Sequence, residues 1–323
     1  MKNKEKNFVS AVIYVHNDAD VISDFVTGIV EFFEMNFEKS EIICVNDSSK
    51  DNSVRKIREV GKQCNLTNIS ILNMSSFHGL ETSMIAGVDL SIGDFVFEFD
   101  KVVEDFSMDE VMKIYYKVLE GFDIVSASPD TPVQRSSAVF YNLFNKYANS
   151  GETIISDTFR VLSRRVINRI SNNSKTIPYR KALYANCGLK VFHMKYDPLD
   201  NKKRRKNLEE KTYRKNLAID ALIIFTNLGF TVSLMMTTIM LFVALFMMAY
   251  SVFIYVTKNP VAGWTTTILF LSLGFFMLFA ILTVIIKYLQ VVIDLIFKRK
   301  SYNVESIEKI TKARWIMYEN ESS

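Results

Sequence analysis

The chain has 323 residues, 49% of them hydrophobic, with 39 Lys and Arg against 35 Asp and Glu for a net charge of +4. So small an excess excludes a general polyanion binder, and no nucleic-acid partner is expected. Cys44, Cys64 and Cys187, like His16, His78 and His193, are scattered with no close pair, which argues against a disulfide framework or a zinc site.

The charged N-terminal stretch MKNKEKNF lacks an apolar run, so no cleaved signal is expected there. Strand-like and helix-like patterns then alternate. Phe8–Val15 reads as a strand and 20–37 as a helix; Glu41–Asn46 is a second strand and Asp51–Cys64 a helix. Asn68–Met74 and Asp94–Asp100 are further strands flanking a helix over 80–91. Ser107 opens a helix with Glu110 completing a capping box, and Val111, Ile114, Tyr115, Val118 and Leu119 form its core face. Asp123–Ser128 is a fifth strand. The alternation predicts an α/β, mostly parallel, Rossmann-like sheet covered on both faces.

A basic run, Lys202–Lys206, precedes an amphipathic segment Asn216–Asn227 that reads as an interfacial helix. No charge occurs from Gly229 to Val256 or from Asn259 to Ile286, and each stretch exceeds the roughly 20 residues a membrane helix needs. Lys and Arg flank the pair while the connector has only Lys258, which predicts a multi-pass cell-membrane protein with its head and both termini cytoplasmic. The expected domains are a head over 1–200, a juxtamembrane segment over 201–227, two helices within 228–290 (about 229–256 and 264–286) and a tail over 291–323.

Ligands of open parallel sheets bind outside the carboxyl ends of the strands. There the sequence places Asn17 and Asp18, Asn46 and Asp47, and Asp100. Amides and carboxylates at one rim suit a nucleotide-sugar, hydrogen-bonding base and ribose, with one or two carboxylates holding a divalent cation on the diphosphate. Neither GxxxxGK[ST] nor GxGxxG occurs, so those phosphate cradles are not supported.

Six segments in order resemble family 2 glycosyltransferases of the GT-A fold. SAVIYVHNDADVI (Ser10–Ile22) is similar to their opening strand and loop, VNDSSKDNS (Val45–Ser53) to their nucleotide loop, and HGLETSMIAG (His78–Gly87) to the helix that follows. GDFVFEFDKVVED (Gly93–Asp105) resembles the segment carrying a metal-binding Asp-x-Asp, SDTFRVLSRR (Ser156–Arg165) a later acidic-basic block, and Lys287–Val304 the tail after the two spans. Two spans and that tail resemble polyprenyl-phosphate glycosyltransferases. The resemblance implies inverting sugar transfer from a nucleotide-sugar, UDP-linked in bacterial members, to undecaprenyl phosphate at the cytoplasmic membrane face, for cell-surface glycan modification. It implies Asn17, Asp18, Asn46, Asp47 and Asp100 at the nucleotide-sugar, and Asp100, Asp157, Arg160 and Arg164 in catalysis. It further implies Arg135, Lys146 and Arg164 at the acceptor phosphate, and Asp100 with Glu104 at Mg²⁺ or Mn²⁺. Membrane lipids are partners, and relatives associate through the hairpins, although Gly274 and Ala280 form no GxxxG pattern.

The chain departs from the motifs at Val102 (second Asp of Asp-x-Asp), Asn46 (Asp), Ser48 (Gly) and Tyr14 (Pro), while KNLEEKTY (Lys206–Tyr213) keeps little of RxxGxSxY. A divalent ion held by one carboxylate instead of two loses attraction, a unit-charge pair at ~4 Å and an effective dielectric near 20 being worth about 4 kcal/mol before desolvation. Three readings follow: an active transferase with an altered metal site, a degenerate relative that binds nucleotide-sugar or lipid as a scaffold, or a membrane protein outside sugar chemistry.

Overall fold

Short runs of Val, Ile and Phe, buried on both faces as parallel strands require, build one sheet. The computed structural model describes residues 4–64, 67–103, 105–132, 134–148, 152–172, 179–199, 208–258, 263–296 and 302–310. They fall into two units: 1–141, 150–217 and 300–323 in the first, 142–149 and 218–299 in the second.

In the first unit β1 (Glu5–Val15), β2 (Phe37–Asn46), β3 (Asn68–Met74) and β4 (Phe95–Phe99) are parallel, in the order β4-β1-β2-β3. Helices α1 (Ile22–Asn36), α2 (Ser53–Gln63) and α3 (Leu80–Leu90) connect them. α4 (Met108–Leu119) leads to β5 (Ile124–Pro129), and α5 (Arg135–Tyr147) follows. Then come β6 (Phe159–Ser163), α6 (Arg164–Asn172), α7 (Arg180–Ala185) and β7 (Val191–Tyr196). β6 lies antiparallel between β4 and β5, and β7 is parallel to β5. The expected α/β sheet is therefore present with one reversed strand, and that reversal decides where the site's arginines fall.

The sheet separates two apolar layers. Val9, Ala11, Ile13 and Val15 of β1 face α1, α2 and α4, with Phe33, Phe37, Phe97 and Tyr115 packed edge to face among them. The alternate residues Val12 and Tyr14 face α3, α6 and α7. Burial of Phe37 draws β2 back to residue 37, four earlier than its β-rich core suggests. Ser107 caps α4 by accepting from the Asp109 amide at 3.2 Å, and Glu110 pairs with Lys113 at 2.6 Å in place of closing the expected capping box.

The segment after the hairpin is more than a tail. β8 (Val304–Lys309) adds antiparallel to β3 and covers that sheet edge. Arg58 donates to both oxygens of Glu308 at 2.8 Å, and the Tyr302 hydroxyl donates to Asp89 at 2.8 Å.

α8 (Leu208–Phe225) begins earlier than the amphipathic segment expected over 216–227. In the second unit α9 (Leu228–Lys258) and α10 (Trp264–Ile296) pair. Within them, Leu228–Thr257 and Trp264–Leu289 are long and apolar enough to cross a membrane, and both are largely exposed. Phe270 is 80% exposed and Phe246 68%, so the pair presents large apolar side chains outward rather than packing them in its own core. Thr283 bonds Ser233 at 2.8 Å and Thr237 at 2.7 Å, a polar clasp between apolar helices. The basic runs 202–206 and 298–300 lie outside the described residues.

α3 rests directly on the sheet at Gly87, where an added Cβ would lie 2.5 Å from both Val12 Cγ1 and Val45 Cγ2. Gly87→Ala should therefore destabilise the chain by about 1–3 kcal/mol. Thermal unfolding in detergent should show a lower midpoint, partly restored when Val12→Ala is added.

Candidate active site

The ends of β1 and β2 are in register, Val15 opposite Asn46, so the loops that follow them lie side by side. Asn17 and Ser48 both adopt left-handed backbone, φ 54° and 55°, a region Asn tolerates better than most residues. The loops interlock. Asn17 Oδ1 accepts from the Lys50 amide at 2.8 Å, Ser53 Oγ accepts from the Asp18 amide at 2.9 Å, and Asp51 accepts from the Ala19 amide at 2.9 Å. Asn46 accepts from the Ser49 amide at 3.0 Å and donates to Asn73 at 2.9 Å. Asp18 is buried and accepts from the His16 amide at 3.0 Å.

Asp47 has no exposed surface. It accepts from the Tyr14 hydroxyl at 2.9 Å and from the amides of His78 and Gly79 at 2.8 Å each. These bonds make it a staple between β2 and the start of α3 rather than a free ligand contact. Tyr14, where the resemblance has proline, supplies one of them. Gly79 has φ 80°, and the Tyr213 ring covers it so closely that a Cβ would fall 2.1 Å from the ring carbon Cζ. Tyr213 also meets Phe77 edge to face, and Phe77 meets His16 at 4.8 Å. Asn17, Ser48, Ser49 and Phe77 keep surface open to solvent along this rim.

A buried charge cluster occupies the neighbouring strand ends. Register places Arg160 of β6 beside Glu98 of β4 on one side and Ser126 of β5 on the other. Arg160 donates to Glu98 at 2.7 Å, to Asp100 at 2.9 Å and to Asp157 at 2.8 Å. Arg180, at the start of α7, donates to Glu98 at 2.8 Å and to Asp100 at 2.6 Å, while its amide donates to Glu81 at 2.8 Å. Tyr184 donates to Glu98 at 2.8 Å, and Lys181 pairs with Asp157.

Burial opposes ionisation of Asp100, but Arg160, Arg180 and Lys181 outweigh it and hold the carboxyl below its ordinary range. Asp157 is lowered in the same way, by Arg160 and Lys181 against burial. At Glu81 burial prevails over Arg180, and the carboxyl is raised. Four carboxyls, Glu81, Glu98, Asp100 and Asp157, thus face three bases, Arg160, Arg180 and Lys181.

α3 joins the two halves. Its leading amides bind Asp47, and two residues on, Glu81 meets Arg180, which grips Asp100. Asn17, Asp18, Asn46, Asp47, Asp100, Asp157 and Arg160 are thus gathered at the carboxyl ends of β1, β2 and β4.

Arg164 is a correction. Antiparallel β6 carries it to the opposite end of β4, beside Asp94 and six residues from Asp100, about 20 Å along the sheet at roughly 3.3 Å per residue. There its guanidinium donates to the Gly93 carbonyl at 2.9 Å, away from Asp100. Arg135 is exposed at the start of α5, and Lys146, also exposed and 5.3 Å over the Tyr147 ring, falls in the second unit. Glu104 lies outside the described residues.

Sequence reasoning missed Glu81, Glu98, Arg180, Lys181 and Tyr184. A glutamate inside Phe-Val-Phe-Glu-Phe was the available signal, because a carboxylate on a strand buried on both faces requires a cationic partner.

The described residues do not supply a divalent-cation site. Both Asp100 oxygens accept from guanidiniums, and Val102 is fully buried among apolar groups. No group of three or more His, Cys, Asp or Glu side chains among the described residues is arranged around a metal position.

The family model "Glycosyl transferase family 2" matches residues 10–171. The chain belongs to this family. It is 27% identical over 197 residues to an uncharacterized glycosyltransferase of Synechocystis sp., covering 58% of this chain and 60% of that protein. It is 30% identical over 179 residues to the bactoprenol glucosyl transferase of Shigella phage SfX, covering 53% and 56%. The match thus spans less than two thirds of either relative. Among solved structures, a mannosyltransferase from Pyrobaculum calidifontis in complex with GDP-Man and Mn²⁺ superposes with a TM-score of 0.50 at 12% identity, covering 68% of this chain and 64% of that one. That likeness shows the GT-A fold.

Two outcomes follow from the cluster. Arg180→Met strands Glu98 and Asp100 and should cost about 3–5 kcal/mol, read by urea unfolding in detergent, with Glu98→Gln in the same chain recovering part of it. The depressed Asp100 and Asp157 contribute stability that is present above the ordinary carboxyl value of 3.8 and lost as pH falls toward their folded values. Glu81 has the opposite sign, its contribution being lost as pH rises through its raised value. The unfolding midpoint should therefore drop steeply below about pH 4, and less steeply in Asp157→Asn.

Proposed function

We propose that this chain transfers a sugar from a UDP-linked donor to polyprenyl phosphate, with inversion, at the cytoplasmic face of the cell membrane. The observation that carries the reading is the coupling of the loop rim to the buried Asp100 cluster through α3. Similarity to a bactoprenol glucosyl transferase supports the acceptor class. The apolar helix pair supports residence beside a lipid acceptor, and the basic flanks of the spans support the orientation.

In this reading the exposed face of Phe77 stacks on the base, and Asn17 and Ser49 hydrogen-bond the ribose. Asp100, fixed by two guanidiniums, accepts from a hydroxyl of the donor. An acceptor phosphate oxygen attacks the anomeric carbon, the bond from that carbon to the donor's diphosphate oxygen breaks, and UDP leaves. The attacking phosphate is already anionic at neutral pH, so no base is required. The protein's task is to hold the two reactants in line and meet the leaving charge with cations. Lys181 and Arg160 line a cleft together with Asp157 and His193, and supply that charge. Arg135 meets the acceptor phosphate. Anchoring raises the effective concentration of a substrate confined to the bilayer.

A second reading, a nucleotide-sugar-binding relative with no turnover, is favoured by Val102 and by the closed hydrogen bonding of Asp100 and Asp47. Full-length protein in detergent, given UDP-sugars and undecaprenyl phosphate, separates the two. A lipid-linked sugar should form, and Asp100→Asn should lower kcat/KM by about 10²–10³-fold, roughly 3–4 kcal/mol. Nucleotide binding without product would select the second reading, and no binding at all would refute both.

A further inference from the structure

Asp100 stands where the resemblance puts the first of two metal-binding carboxylates, yet its surroundings are those of an arginine-bound group. Oδ1 accepts from Arg180 at 2.6 Å and Oδ2 from Arg160 at 2.9 Å. Both arginines are at most 1% exposed. The second position of the pair is not merely a missing ligand. Val102 has no exposed surface and packs in the apolar layer that also holds Phe99 and Phe106, so the backbone turns position 102 into the core.

Charge bookkeeping agrees with this geometry. Two carboxylates with a divalent ion sum to zero, and so do Asp100 and Glu98 with two guanidiniums. A cation bound within about 2.0–2.6 Å of Asp100 would lie against two guanidiniums already bonded to the same carboxylate, a close approach of like charges in the interior.

We propose that the donor diphosphate binds at this site without a divalent cation, the opposing positive charge coming from protein side chains with Lys181 facing the cleft. The inference rests on the donor reading above and deepens it.

The test uses the full chain in detergent with UDP as the probe, titrated calorimetrically in excess EDTA and again in Mn²⁺, alongside Mn²⁺ paramagnetic resonance. UDP affinity should change less than twofold between the two conditions. The free Mn²⁺ signal should be no smaller with protein and UDP than with UDP alone. Lys181→Gln should weaken UDP at least tenfold in EDTA, Lys181→Arg should retain most of the affinity, and uridine binding should be unmoved by either. Glu104→Gln should leave UDP affinity in Mn²⁺ unchanged.

Binding at least tenfold weaker in EDTA, a protein-dependent loss of the Mn²⁺ signal, or a tenfold loss in Glu104→Gln would overturn the proposal while leaving the donor reading intact. Unchanged UDP affinity in Lys181→Gln would overturn the assignment of the charge to that side chain. Absence of UDP binding under both conditions would remove the donor reading and this inference with it.

Discussion

Arg160 and Arg180 clamp Glu98 and Asp100 from opposite sides, and the rest of the site is arranged around that buried grip. Each ion alone would be strongly disfavoured in the interior, because it forfeits hydration that one partner does not replace. Each of the four oxygens of Glu98 and Asp100 accepts from a guanidinium. The arrangement needs an antiparallel strand to bring Arg160 beside Glu98 and a short helix to bring Arg180 from above the sheet. The ionic grip thereby ties β4, β6 and α7 into one body at the carboxyl end of the sheet.

A second constraint runs through α3. Asp47 accepts from the amides of His78 and Gly79, just before that helix, and from Tyr14, which fixes the loop after β2 and the helix start as one piece. Gly87 lets the same helix lie against Val12 and Val45. Glu81, the second residue of the helix, reaches Arg180. A shift in either loop is therefore felt at Asp100.

The two units solve different solvation problems. In the first, apolar residues alternate across the sheet and face inward on both sides, leaving polar loops at the rim. In the second, large apolar side chains cover the outside of a helix pair, and the few hydroxyls, Ser233, Thr237 and Thr283, turn toward the partner helix. Water suits the first pattern and hydrocarbon the second. β8 returns after the hairpin to pair with β3, so the chain closes an exposed edge with its own later residues.

Local pattern by itself determined the alternating strands and helices up to β5, the two apolar spans, and the polar residues at the ends of β1, β2 and β4. Those features follow from periodicity and from hydropathy, which act over a few residues. Asp18, Asp47 and Asp100 were legible because residues at strand ends are placed by the strands. Tertiary structure alone decided that Asp47 is a staple, that Arg164 sits at the wrong end of β4, and that Val102 is core. It also decided that Arg180, 80 residues from Asp100, completes its carboxylate. Strand direction and partner choice come from long-range packing, and the protonation and availability of a carboxylate depend on which distant charges that packing brings beside it.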